Sequence, residues 1–180
     1  MNKLFPLALA ALCLTAPASA QITSFQHVIV VVQENRTPDD MFQGLCTTPT
    51  ACSTRPGPGQ YNIQTTAWLD KTGTTNPKAV PFGLGYDMLH AHSAFVTECD
   101  LNASGACLMD GFAHEECLPR AQKCPTKPAY AYIDNSKGAV QPYLDLVAGF
   151  GCGNYMFQTN QGPSFPAHQF LFGASSALGG

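Results

Sequence analysis

The sequence predicts an α/β fold with a partial mixed sheet, flanking helices and many loops held by disulfides. Five consecutive β-branched residues at positions 28–32 predict a strand buried on both faces, which is typical of α/β sheets. Apolar residues at helical spacing from Tyr143 to Phe150 predict a helix that stops at Gly151. The 16 Gly and 14 Pro residues indicate long loops between these elements.

Residues 1–20 have the three parts of a secretory signal peptide. Lys3 supplies the positive charge, residues 4–15 form the apolar stretch, and Ala18–Ala20 is a small-residue cleavage site. We therefore predict a periplasmic or secreted protein whose mature chain spans residues 21–180. The apolar stretch is too short to cross a bilayer, so we predict no transmembrane segment.

Charged side chains are scarce along the whole chain. They make up 12% of the residues, about half of the roughly 25% that is usual in globular proteins. The formal net charge is -3, and no run or stripe of basic residues occurs. Binding to a phosphate backbone requires clustered Lys and Arg, so nucleic acid is not an expected partner.

The mature chain has an odd number of cysteines. In an oxidising compartment cysteines form disulfides, so an odd number leaves one without a partner in the chain. We predict a local Cys46–Cys52 bridge and further pairs among four other residues, with one thiol left free or bonded outside the chain. A zinc site is the alternative, but no C-x-x-C pair is present. The seven residues are Cys46, Cys52, Cys99, Cys107, Cys117, Cys124 and Cys152.

Two polar residues directly follow the predicted first strand. Glu34 and Asn35 come after the apolar run, and strand ends in α/β sheets lie at the edge where ligands bind. Their oxygen atoms suit a hard or borderline divalent cation. A His-Glu-Glu run at positions 114–116 also suggests a metal cluster, but adjacent side chains diverge, so we predict a solvated loop there.

A second junction contains a candidate nucleophile. Residues 155–157 predict a short core strand, Gly162 and Pro163 a tight turn, and Pro166 an early helical position. Ser164 then lies at the N-cap or in the first turn, where free N–H groups and the helix dipole favour a phosphate and an alkoxide. The alternative is a serine that only caps the helix.

Four motifs occur in one order and together resemble the bacterial phosphoesterase family. That family contains phosphatidylcholine-type phospholipases C and an acid phosphatase, and it belongs to the alkaline-phosphatase-like superfamily, whose α/β fold the resemblance implies. The motifs are the segment from His27 to Phe42, Asp87-Met-Leu-His90, Met109-Asp-Gly-Phe112, and the segment from Asn154 to Pro166.

The resemblance implies a role for each matching position. Glu34 and Asn35 would bind the active-site divalent metal ion, whose identity it does not give. Ser164 would be the nucleophile that becomes phosphorylated and would also contact the metal. His90 would lie in the phosphate pocket, with His92 beside it. The metal would lower the serine pKa and neutralise the phosphoryl oxygens.

The chain departs from the family near the last helix and in its length. The family usually has an Asn-Arg pair near Ala167 and His168, which this chain lacks. His168 could itself donate to a phosphate, with a structural histidine as the alternative. Members of the family are much longer and bring further metal carboxylates from their distal half. We therefore expect residues 21–180 to be the N-terminal part of a phosphoesterase domain, truncated before that half, with a missing C-terminal portion as a partner.

The predicted function is metal-dependent hydrolysis of a phosphate ester through a phosphoserine intermediate. Phosphate monoesters and phospholipid headgroup diesters are both open as substrates. A non-catalytic exported binding module that keeps the proximal fold is the alternative. A serine hydrolase of carboxyl esters is disfavoured, because the stretch from Gly162 to Pro166 lacks the final Gly of Gly-x-Ser-x-Gly.

Overall fold

The computed structural model describes residues 25–118 and 123–176. The chain divides into two compact units, residues 1–34 and residues 35–180, which are described separately. The predicted signal peptide, residues 1–20, lies outside the described residues. Within the described ranges, no helix has both the length and the apolar character that a bilayer span requires.

The described part of the first unit, residues 25–34, contains no helix or strand. Its apolar side chains are exposed, with Ile29 at 85% and Val31 at 84% of their full accessibility. The predicted buried strand at residues 28–32 is therefore wrong for this structure. A strand is buried on both faces only between neighbouring strands and two covering layers, whereas each described strand pairs only within a two-stranded sheet.

Among its described residues, the second unit contains four helices, four short strands and two 3₁₀ turns. The helices are α1 (Pro38–Met41), α2 (His92–Cys99), α3 (Gln141–Phe150) and α4 (Ser164–Gly173). The strands are β1 (Trp68–Asp70), β2 (Gly73–Thr75), β3 (Lys78–Val80) and β4 (Ala131–Ile133). The 3₁₀ turns are Gln43–Leu45 and Gly111–His114.

The strands form one antiparallel and one parallel pair, which confirms the predicted mixed α/β class. In the hairpin, β1 pairs with β2 in a register that places Trp68 opposite Thr75. β3 pairs in parallel with β4, and Val80 lies opposite Ile133. These parallel strands are distant in sequence, so their pairing depends on tertiary packing rather than on a local turn.

The main core forms where α1, β4 and α3 meet. Met41, Ile133, Val140 and Leu144 are buried together. Val140 is fully buried, immediately before α3, and Leu144 is one turn later on the same helix face. The helix predicted from Tyr143 to Phe150 is confirmed, and Gly151 ends it at a φ of 97°, which favours glycine.

Three disulfides hold the loops, as the cysteine pattern predicts. Cys46–Cys52 is the predicted local bridge. The four remaining candidates pair as Cys99–Cys107 and Cys117–Cys124. In the part of the chain that the structure describes, Cys152 is the one free cysteine, and it is exposed.

The predicted strand at residues 155–157 is a turn followed by irregular chain. Tyr155 has a φ of +57°, which is left-handed and incompatible with a strand. Met156 and Phe157 are exposed at 87% and 78%. The Asn154 side chain instead ties this loop to the backbone near residue 60: it accepts from the Asn62 N–H at 2.8 Å and donates to the Gln60 carbonyl at 2.9 Å.

Candidate active site

The segment that carries Asp87 and His90 is held by short antiparallel pairing with the chain near Cys117. Met88 and Cys117 form a β-bridge. The Leu89 N–H donates to the Glu116 carbonyl at 2.9 Å, and the Leu118 N–H donates to the Asp87 carbonyl at 2.8 Å. The Cys117–Cys124 disulfide fixes this second segment, so the backbone under His90 is well supported.

Three polar side chains converge above this pairing. Asn35 Nδ2 lies 2.8 Å from His90 Nε2, and His90 Nε2 lies 3.2 Å from Asp87 Oδ1. Asn35 Nδ2 also donates a long 3.5 Å hydrogen bond to Asp87 Oδ1. The Met88 N–H donates to the same carboxylate oxygen at 3.0 Å, which fixes its position.

This Asn35–Asp87–His90 cluster is open to solvent and can exchange protons. The His90 and Asp87 side chains are 39% and 46% exposed. With Nε2 unprotonated, the ring accepts from Asn35; with Nε2 protonated, it donates to Asp87. A histidine paired with a carboxylate can position a substrate oxygen and move a proton. The sequence identified Asn35 and His90 as candidate site residues, and in the structure their side chains are within hydrogen-bond distance.

Asp87 is the residue of this cluster to which the sequence analysis gave no role. It is the first residue of the Asp-x-x-His motif that ends at His90. An acid three residues before a histidine is a local signal for such a pair. The signal does not say that Asn35 joins them, because Asn35 is 52 residues away from Asp87.

Ser164 is the first residue of α4, which confirms the first-turn alternative. Pro163 occupies the N-cap and has an extended ψ of 179°, so Ser164 is not the capping residue. Ser164 is exposed. The first N–H groups of a helix have no intrahelical acceptors, and they carry the positive end of the helix dipole. Ser164 and Phe165 provide such groups beside the Ser164 hydroxyl.

His92 links the two candidate segments. It begins α2, two residues after His90. Its Nδ1–H donates a 2.6 Å hydrogen bond to the Gln161 carbonyl, three residues before Ser164. The His92 ring also stacks on Phe95, with 6.3 Å between the ring centroids. The structure therefore uses His92 to hold the loop that leads into α4.

The two other predicted site residues lie on different parts of the chain. His168 is on α4, four residues after Ser164, so the two share one face of the helix. His168 is partly buried. Glu34 is an exposed residue at the end of the first unit, next to Asn35 in sequence.

The donor set for a metal ion is small. Within residues 25–118 and 123–176, no group of three or more His, Cys, Asp or Glu side chains is arranged to bind a metal. Glu34, Asn35 and Ser164 offer three oxygen ligands, whereas hard cations take about six. A cation held by these three side chains alone would need water to complete its coordination.

The solvated loop predicted for residues 114–116 is wrong for Glu115, which is only 6% exposed. Its carboxylate receives no hydrogen bond of normal geometry from the described residues, and it lies against the Glu98 carboxyl. Burial raises the pKa of Glu115. Burial and the neighbouring Glu115 raise the pKa of Glu98 to about 7. No sequence signal reveals this pair, because the contact forms only when α2 packs on the Gly111–His114 turn.

A histidine–carboxylate pair, an amide and a serine at a helix N-terminus are components of enzymes that hydrolyse esters. Comparison with known protein families narrows this class. The chain belongs to the Phosphoesterase family, whose model matches residues 25–180. This confirms the resemblance that the four motifs carry and supports phosphate-ester hydrolysis at the level of the family. No match was found among curated proteins or among solved structures.

Proposed function

We propose that this chain is an exported phosphoesterase that hydrolyses phosphate monoesters or phospholipid headgroup diesters through a phosphoserine at Ser164. The observation that carries the proposal is the position of Ser164 in the first turn of α4, within a chain matched by the Phosphoesterase family. The His92–Gln161 hydrogen bond supports it, because this bond ties the loop before Ser164 to the segment of His90.

The proposed reaction has two displacement steps. The Ser164 hydroxyl oxygen attacks phosphorus in line, the bond from phosphorus to the ester oxygen breaks, and the leaving alcohol takes up the proton that the hydroxyl gives up. Water then attacks the phosphoserine, releasing phosphate, or a phosphomonoester from a diester, and restoring the hydroxyl. N–H groups at the start of α4 would bind the phosphoryl oxygens. His90, held by Asp87, and His168 are the proposed hydrogen-bond donors to them.

Export is proposed from two features. Residues 1–20 have the signal-peptide pattern, and three disulfides form in the folded chain. Disulfides persist in the periplasm and outside the cell, where thiols are not kept reduced. Together these features support a periplasmic or secreted enzyme.

The family resemblance also supports a divalent cation, which we propose is bound weakly by Glu34, Asn35 and Ser164. We expect calorimetric titration with Mn²⁺ to give a dissociation constant of about 10⁻³ M, because most of the ligands would be water. Glu34→Gln should abolish this binding, and Glu116→Gln, which makes the same charge change on an exposed loop, should preserve it. Equal Mn²⁺ binding by both variants would exclude Glu34 as a ligand.

The activity is tested with two aryl esters that release the same phenol. We expect the purified chain to hydrolyse the aryl phosphate, to leave the aryl acetate unchanged, and to be inhibited competitively by inorganic phosphate. Preferential hydrolysis of the acetate would contradict the proposal and support a carboxyl-ester hydrolase. Saturable binding of inorganic phosphate without turnover would instead support the non-catalytic binding module.

A further inference from the structure

A cavity of about 330 Å³ lies in the second unit, behind the hairpin of β1 and β2. None of the residues of the Asn35–Asp87–His90 cluster lines it. Three aromatic rings and two methionines form much of its wall: Trp68, Phe112, Tyr130, Met88 and Met109. This volume and this apolar wall suit a small organic molecule.

Three carboxyl groups also line the cavity, and among residues 25–118 and 123–176 no Lys, Arg or His does so. Asp39 accepts from the Gln64 N–H at 2.6 Å, and Asp40 accepts from the Thr37 N–H at 3.4 Å. Glu98 lies beside another acid, Glu115, which raises the pKa of Glu98 further. The cavity therefore has an excess of negative charge once these groups ionise.

Two described basic side chains lie close to the lining residues, and each has a partner or a position outside the cavity. Lys127 lies 5.5 Å from the centre of the Tyr130 ring, but its ammonium is paired with the buried Asp70. Arg36 acts electrostatically on Asp40, but it lines a separate, smaller cavity. Because no described basic side chain enters this cavity, a cation bound next to its apolar wall would face the three carboxyl groups directly.

We propose that this cavity binds a small organic ammonium ion with an apolar body. The ammonium would face Glu98 and Asp39, and the body would lie against the rings of Trp68, Phe112 and Tyr130. An aromatic wall attracts a cation through the negative faces of its rings, and a desolvated carboxylate adds a charge-assisted hydrogen bond. Ser164 does not line this cavity.

Binding should strengthen as pH rises. Burial raises the pKa of Asp39, that of Asp40 to about 6 and that of Glu98 to about 7. The neighbouring charges are Arg36 and Asp39 beside Asp40, Glu115 beside Glu98, and His90, which acts on Glu115. Between about pH 5 and about pH 8 Asp40 and Glu98 ionise, while an aliphatic ammonium keeps its charge. A neutral ligand of the same shape should show no such gain.

The single Trp of the chain, Trp68, lines the cavity and reports binding by its fluorescence. The probe is phenethylammonium, and 2-phenylethanol is its neutral control of nearly the same shape. We expect saturable quenching by the ammonium that strengthens with pH, and at least about fivefold weaker binding of the alcohol at about pH 8. Equal binding of the two, or no saturable quenching, would overturn the proposal.

The charge at Glu98 is tested by substitution with a matched control. Glu98→Gln keeps the size of the side chain and should weaken phenethylammonium binding about fivefold at about pH 8. Glu116→Gln removes the same charge from an exposed residue that does not line the cavity, and it should change phenethylammonium binding by less than about twofold. Equal losses would overturn the assignment to Glu98, and the pH series on the unmodified chain tests the site without any substitution.

Discussion

Ser164→Ala is expected to lower aryl phosphate turnover by at least about 10³-fold. The substitution removes the oxygen that forms the bond to phosphorus, while Ala is well tolerated in the first turn of a helix. Ser164 is exposed, so its loss should leave the free energy of unfolding nearly unchanged. Initial rates measured with the unmodified chain and the variant at matched concentration give the result.

A matched control separates the nucleophile from an ordinary helix-terminal serine. Ser93 also lies in the first turn of a helix, α2, and is also exposed. Ser93→Ala should therefore leave turnover within about twofold, and Ser164→Thr, which keeps a hydroxyl, should retain part of it. Acid quenching during turnover should trap a phosphoryl group on Ser164. Undiminished turnover by Ser164→Ala would remove Ser164 from the reaction.

Gly111→Ala is expected to destabilise the second unit by about 3 kcal/mol or more. A Cβ at this position would lie 1.8 Å from the Thr97 carbonyl oxygen and 2.9 Å from its carbon. Both atoms belong to the backbone of α2, which cannot swing away as a flexible side chain would. Relief of this clash must move α2 away from the Gly111–His114 turn. Chemical denaturation followed by Trp68 fluorescence measures the loss.

Gly85→Ala is the control for this clash. A Cβ at Gly85 meets nothing within 4 Å, and its φ is not in the left-handed region. The variant should be as stable as the unmodified chain or more stable by a few tenths of a kcal/mol, because alanine restricts the unfolded chain. A loss at Gly111 no greater than that at Gly85 would contradict the close packing of α2 on the Gly111–His114 turn.

The sequence predicted the features whose causes are local. α3 and its end at Gly151 follow from apolar spacing and a glycine stop. Ser164 begins α4 because the preceding Gly162-Pro163 turn leads directly into a helix. Cys46 and Cys52 have a sequence separation of 6 residues, so the loop that their bridge closes is short and local. The resemblance to the phosphoesterase family was also visible in the sequence, and the matched family model confirms it.

The two predicted strands fail because a strand depends on its neighbours. Residues 28–32 have strong β-propensity, but propensity describes how a residue fits a half-buried pleated surface and does not supply the partner strands. Residues 155–157 are apolar, but Tyr155 adopts a left-handed φ. The Asn154 side chain also accepts one hydrogen bond from the backbone near residue 60 and donates another to it.

By itself, the sequence determined the mixed α/β class, the local disulfide, the phosphoesterase motifs and the helix that begins at Ser164. Only the tertiary structure decided that Asn35 meets Asp87 and His90, contacts that span more than 50 residues. It also decided that Glu115 is buried against Glu98 and that Trp68 and three carboxyl groups line one cavity. The reason is physical: short-range patterns fix backbone propensity and turns, whereas burial and charge environment depend on which distant segments pack together.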